Sequence, residues 1–209
     1  MLTVKSLTGQ IEGLTDTTDF EHVEELNGEL SLSFSSFLSS RNAGYHLLQE
    51  ESVIIGEDNR EYRIKNMQSY KDYKRIDALS TYFDNANVWQ YDIFGGTHTF
   101  NEFMSFALTG TGWTYTNADI TGSQFIPNFG NNNTVALIEI LMAAFSCERK
   151  IEAGNHVTFA KEITVDNDAQ YRYGHNIVAL SKSVDTSNLK TYVKGFGAAG
   201  LAVSYTSPN

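Results

Sequence analysis

"YVKGFGAAGLAVSY", residues 192–205, holds Gly195, Gly197 and Gly200 in the G-x-G-x-x-G spacing. Between a strand and a helix, that spacing cradles a dinucleotide pyrophosphate. Two features reject the nucleotide reading here. Only nine residues of this sequence follow Gly200, too few for a helix, a second strand and a ribose-binding acid about 20 residues on. The flanks also alternate with a period of two: Leu201, Val203 and Tyr205 against Ala202, Ser204 and Thr206, and upstream Leu189, Thr191 and Val193 against Lys190, Tyr192 and Lys194. The glycines therefore turn a β-hairpin or a bulged corner, and no cofactor is expected.

The rest of the chain reads the same way. Asn27-Gly28 separates "DFEHVEEL" (19–26) from "ELSLSFSSF" (29–37), a type I′ hairpin signal because both turn residues tolerate positive φ. In the second arm Leu30, Leu32 and Phe34 alternate with Ser31, Ser33 and Ser35, giving one buried and one wet face. Phe20 and Val23 do not share parity in the first arm, which predicts a bulge or twist. A short helix carrying Tyr45, Leu47 and Leu48 is expected within 43–52. Strands at 52–56, 61–70 and 73–83 follow, with Tyr62, Ile64 and Met67 inward. Short strands with tight turns predict a barrel or rolled sheet.

From residue 99 the period changes. Apolar residues at 100, 103, 104, 107 and 108 form a helical stripe, with Thr99 and Glu102 as a capping box and Gly110 and Gly112 beyond its end. A second helix starts at an Asn133 cap, with Glu139 the only charge between Val135 and Phe145, so it is buried on more than one side. "GWTYT", "SQFIPNFG", "ERKIEA" and "HVTFAKEI" read as strands, the last two joined by Gly154-Asn155. A segment "AQYRYGHNIVALSKSV" follows. The layout is α+β: small antiparallel β-barrel-like domains and an α+β segment with two main helices.

Candidate chemistry is thin. The formal charge is −10, from 25 acidic and 15 basic residues with no Lys/Arg cluster longer than a pair, which disfavours a stable grip on nucleic acid. No apolar run is long enough to span a bilayer, and "MLTVKSLTGQ" has no signal-peptide pattern. A single cysteine, Cys147, ends an apolar run and reads as a buried, inert thiol. His22, His46, His98, His156 and His175 show no metal-ligand spacing. Asp166, Asn167 and Asp168 suggest calcium, but the sixth and twelfth loop positions are Tyr171 and Ile177. Glu24-Glu25 and Glu50-Glu51 are adjacent carboxylates on acidic segments, not a facing pair. No catalytic, cofactor or metal residue is expected.

Several segments, in this order, resemble a known family: "EHVEELNGELSLSF", "GTGWTY" (110–115), "NFGNNNTVALIEIL" (128–141), "YRYGHNI" (171–177) and "SVDTSNLKTYVKGFGAAGL" (183–201). Together they resemble the N-terminal region of siphophage tail-associated lysins, or prophage endopeptidase tail proteins, with Val184–Leu189 the most specific stretch. The resemblance implies a baseplate-hub fold like that of contractile-tail hubs and type VI secretion spikes. Residues 1–95 would be a β-barrel-like hub domain, 96–178 an α+β domain, and 179–209 the truncated start of a second β-domain. It implies a homotrimer in the virion at the tail tip, where a ring closes the tail tube and opens for DNA passage. The implied neighbours are the distal tail protein, the tail tube and the tape-measure protein. A peptidoglycan-cleaving domain, where the family carries one, lies further along than these segments.

The competing reading is a module binding cell-surface glycan through exposed aromatics such as Trp89 and Trp113. Core packing is the plainer role for both, with Trp113 expected against Phe103 or Leu108.

Overall fold

The computed structural model describes residues 1–163 and the strands Tyr192–Phe196 and Ala202–Thr206. The chain divides into two compact units, Met1–Val165 and Asp166–Asn209.

The first unit begins with seven strands: β1 (Thr3–Lys5), β2 (Ile11–Gly13), β3 (Thr17–Glu24), β4 (Leu30–Phe37), β5 (Val53–Ile55), β6 (Glu61–Ser69) and β7 (Tyr73–Ser80). They form one antiparallel sheet in the order β2-β1-β5-β6-β7-β4-β3, a half-barrel with β2 and β3 at its edges. Asn27 adopts φ +58° in the β3–β4 turn, the conformation the hairpin signal requires. The register slips between Thr18 and Glu21, which is the bulge announced by the parity of Phe20 and Val23. Leu30, Leu32 and Phe34 are at most 2% exposed and meet Val4, Ile54, Tyr62, Ile64 and Ile76 in the core. Each such side chain contributes about 1.5–3 kcal/mol by leaving water. A 3-10 helix, Ala43–Leu47, delivers Tyr45 to the same core, while Met67 is only half-buried.

One boundary differs from the sequence reading. Residues 81–83 leave the β7 strand and enter a 3-10 helix, Thr81–Asn87. The Ser80 hydroxyl accepts the Tyr82 N–H, and Asn85 donates to the Tyr82 carbonyl. Those local bonds outcompete the ladder and turn Tyr82 fully inward.

Next come β8 (Trp89–Ile93), β9 (Gly96–Thr99), α1 (Phe100–Ala107), β10 (Thr114–Asn117), β11 (Ser123–Ile126), β12 (Gly130–Asn133), α2 (Thr134–Phe145), β13 (Glu148–Glu152) and β14 (His156–Ala160). Strand β8 pairs with β12 and β9 with β11, so residues 89–99 and 123–133 make one bent two-stranded ribbon. Two glycines permit its bend. A Cβ on Gly95 would overlap the Pro127 carbonyl oxygen, and one on Gly130, at φ +129°, would overlap that of Asp92. The ribbon feeds directly into both helices. Thr99 and Glu102 form the expected capping box on α1, and Asn133 caps α2 by accepting the Ala136 N–H at 2.9 Å. Helix α2 sinks Leu137, Ile138 and Leu141 completely into the core.

The last sheet of the unit, in the order β10-β14-β13, is not wholly antiparallel as expected. Strands β13 and β14 form a hairpin, but β10 runs parallel to β14. The chain between them contains the ribbon's second arm and α2, a connection long enough for a parallel crossover. In the second unit β15 (Tyr192–Phe196) pairs antiparallel with β16 (Ala202–Thr206), Phe196 opposite Ala202. Gly195 thus lies in a strand of an antiparallel pair, while Gly197 and Gly200 lie outside the described residues. The 169–184 segment, His175, Asp166–Asp168 and Val184–Leu189 lie outside the described residues.

Leu32→Ala should lower unfolding stability by about 2–5 kcal/mol, and Leu32→Asp should abolish the cooperative transition of the half-barrel. A Leu32→Asp chain with a wild-type denaturation midpoint would show that the β4 register is wrong.

Candidate functional site

The described residues converge on ion pairs and contact surfaces rather than on a catalytic cleft. At one end of the half-barrel, Arg60 donates from Nη1 and Nη2 to both carboxylate oxygens of Glu24 at 2.8 Å, and from Nε to Asp58 at 2.5 Å. Tyr62 donates to Asp58 at 3.2 Å, and His22 Nε2 lies 3.0 Å from the Tyr62 hydroxyl. The Arg60 hydrogen bonds hold the Glu24 carboxyl below its usual 4.5. At Asp58 burial works upward, but the Arg60 bonds outweigh it and the net shift is down from 3.8. Burial pushes the Tyr62 phenol upward, so it stays a neutral donor. Glu24 therefore neutralises a cation, and Glu51 does likewise for Arg63 and Lys65.

A second arginine ties the first sheet to β13. The Arg149 backbone N–H donates to Asn27 Oδ1 at 2.8 Å, and its Nη2 donates to the Gly28 carbonyl at 3.1 Å. Its guanidinium lies 5.0 Å from the Tyr82 ring centroid and 5.7 Å from that of Phe83. Arg149 is 5% exposed and, among the described residues, has no carboxylate partner. Carbonyl and aromatic faces replace its hydration. Beside it the Tyr82 hydroxyl is buried without a hydrogen-bond partner, and burial pushes its pKa up to about 12. Sequence reading missed Arg149, although its parity with Ile151 in "ERKIEA" marks the buried face of that strand.

Of the other residues singled out from sequence, Cys147 is buried and its thiol is pushed up to about 11, away from thiolate reactivity. His46 lies edge-on to Tyr45, His98 stacks on Phe94 at 4.2 Å, and His156 bonds Thr114 and Thr116. Trp113 is half-buried against the core that contains Phe103 and Leu108, with its ring edge-on to Tyr82 at 5.5 Å. The 3-10 helix brings Tyr82 to it, a placement that helical periodicity around residue 113 does not reveal. Trp89 is different. With Tyr91 and Ile93 it forms the outer face of β8, at 43%, 80% and 55% exposure. Gln90, on the opposite face, reaches in to the Ala107 and Thr109 carbonyls.

Family comparison follows these boundaries. Residues 2–78 match the model described as prophage endopeptidase tail N-terminal domain, and residues 87–159 match the prophage endopeptidase tail domain. The chain belongs to the prophage endopeptidase tail family. Its tail-domain fold recurs in solved structures. A prophage tail protein from Listeria monocytogenes, gp18, matches with 24% identity and a TM-score of 0.75, over 99% of this chain and 67% of that one. A tail protein from Neisseria meningitidis matches with 10% identity and a TM-score of 0.61 over the same shares, 99% and 67%. The E. coli c3393 protein is described as a type VI secretion component structurally similar to the T4 tail proteins gp27 and gp5. It matches at 10% identity and a TM-score of 0.50, over 78% of this chain and 49% of that one. No curated protein matches the sequence. The family and fold support a structural role in a phage tail. In this tail protein the two matched models meet at residues 79–86, and Arg149 clasps that junction through Tyr82 and Phe83.

Two outcomes follow for the tail protein. Arg149→Ala should cost about 2–4 kcal/mol, Arg149→Lys should recover only part of it, and Tyr82→Phe should stay within about 1 kcal/mol of wild type. Chemical denaturation of the three variants checks this; an Arg149→Ala loss below that of Tyr82→Phe would refute the clasp. Glu24 and Asp58 have folded pKa values below their unfolded ones. Their contribution is therefore full above about pH 5 and is lost as pH falls through the depressed values. The stability gap between wild type and Arg60→Met should thus narrow from pH 6 toward pH 3, and a gap that stays constant would remove the pair from acid unfolding.

Proposed function

We propose that this chain is a structural component of the baseplate hub at the tail tip. Three copies form a ring that closes the distal end of the tail tube and opens for DNA passage. The observation that carries the reading is the pair of consecutive tail-domain matches, 2–78 and 87–159, on a fold shared with other tail proteins. In this reading residues 1–95 form the ring's first β-domain, 96–178 an α+β segment, and 179–209 open a second β-domain. The segment performs no chemistry. Its neighbours are the distal tail protein, the tail tube and the tape-measure protein. The net charge of −10 suits a lumen that repels phosphates.

One observation favours a second reading, a glycan-binding face. The Trp89 and Tyr91 rings lie 6.3 Å apart, tilted by 42°, and both are open to solvent. Such rings stack on sugar faces in the way amphipathic aromatics do at recognition surfaces.

Sedimentation and glycan-array binding separate the two. The hub reading expects a species about three times 23.3 kDa and no array signal. A monomer whose glycan binding disappears in Trp89→Ala would replace it with the second reading.

A further inference from the structure

The half-barrel sheet carries opposite charge at its two ends. Strand β4 runs from Leu30, opposite Glu24, to Phe37, opposite Tyr73. Its eight residues separate the β3–β4 turn from the β6–β7 turn by about 25 Å. At the β3–β4 end stand Glu25 and Glu29, both exposed, with Leu26 at 51% exposure in the turn, and Glu21 lies further along β3, opposite Ser33. None of the three carboxylates is in an ion pair among the described residues. The cations at this end are Arg60, committed to Glu24 and Asp58, Arg149, buried on the Gly28 carbonyl, and Lys150 beside Glu24.

The opposite end is basic and aromatic. Phe37, Tyr73 and Tyr70 stack in succession, at 5.5 Å and 4.4 Å between centroids. Phe37, Leu38 and Tyr70 are 39%, 47% and 48% exposed. Around them lie Arg41, Lys71 and Arg75, exposed and without a carboxylate at salt-bridge distance among the described residues. Lys74 completes the set, turned onto the Leu48 carbonyl and the Tyr45 ring. Acids also lie here, Asp72 in the turn itself and Asp16 and Asp19 around the start of β3. Asp16 accepts from Ser39, and Asp19 from Thr18.

We infer that these ends bind each other between copies: the Lys71/Arg75/Tyr70/Phe37 end of one chain docks on the Glu25/Glu29/Leu26 end of the next. Each end has an apolar centre and a charged rim, the anatomy of a protein interface, and the rims carry opposite signs. The two ends cannot satisfy each other within one chain, because a rigid sheet holds them apart. A contact between different patches is heterologous, and it closes into a ring when its rotation divides the circle. The inference rests on the ring reading above and supplies its subunit contact.

The test is a charge swap followed by sedimentation of the 209-residue chain at low salt. Lys71→Glu with Arg75→Glu should convert the trimer to monomer, and so should Glu25→Lys with Glu29→Lys. All four substitutions together should restore the trimer. Raising salt to about 1 M should dissociate wild type and the fourfold variant alike. All sites are exposed, and a thermal midpoint checks that each variant is folded. Both double variants remaining trimeric would overturn this contact and leave the ring reading standing. A wild-type chain monomeric at every concentration would overturn both.

Discussion

The described structure depends on a positive charge buried without a carboxylate. Arg149 sits where the β3–β4 turn, the 3-10 helix at Tyr82 and Phe83, and the far face of β13 converge. A hydrophobic residue there would pack, but it could not bond the Gly28 carbonyl, which the tight Asn27-Gly28 turn leaves facing inward. An ion pair would remove a hydrated carboxylate from water, and such pairs often gain little net stability. Aromatic faces and a carbonyl hold the guanidinium more cheaply, and the planar fork lets it stack and bond together. Arg149 thus helps to join the two family-defined regions, together with Arg60, which donates to the Ile151 carbonyl at 3.3 Å, and a shared hydrophobic core.

Backbone constraints do comparable work in the ribbon. Its arms, 89–99 and 123–133, cross so closely at the bend that only glycine fits at 95 and 130. The bend aims the arms into α1 and α2, whose caps, Thr99 and Asn133, are the last ribbon residues. Helix placement is therefore set by strand pairing rather than by helix propensity. The cluster of Phe94, Phe103, Phe106 and Phe129 fills the space that the bend encloses.

This division explains what was legible in the sequence. Features with local causes were readable: the Asn27-Gly28 hairpin, the Leu30/Leu32/Phe34 face, both helix caps and the alternating strands on either side of the glycine segment. Features with distant partners were not. "NNN" before α2 gives no strand signal because β12 has no apolar alternation; its hydrogen bonds go to β8, some 40 residues earlier. Strand β8 hides for the opposite reason, since its apolar residues face water. The parallel β10–β14 pair has no local signature at all. Of the candidate surfaces, Trp89 was visible as an exposed aromatic, but the opposed charges at the sheet ends emerge only once the register puts Glu25 and Lys71 at opposite ends of the strands.

Edge chemistry bears on the proposed association through the sheet ends, because it disfavours pairing along the sides. Strand β2 is three residues long, and β3 is bulged at Asp19 and lined by Glu21 and Glu24. Short, kinked and charged edges resist uncontrolled strand addition. For the ring proposed above such protection matters, because open-ended edge pairing builds fibres instead of closed rings. With the lateral edges blunted, the complementary ends remain as directional contacts. Each end accepts one neighbour, and a subunit with one acceptor and one donor end can close on itself. The acidic excess of the chain adds a general repulsion between copies, which the proposed contact of basic end on acidic end would locally offset.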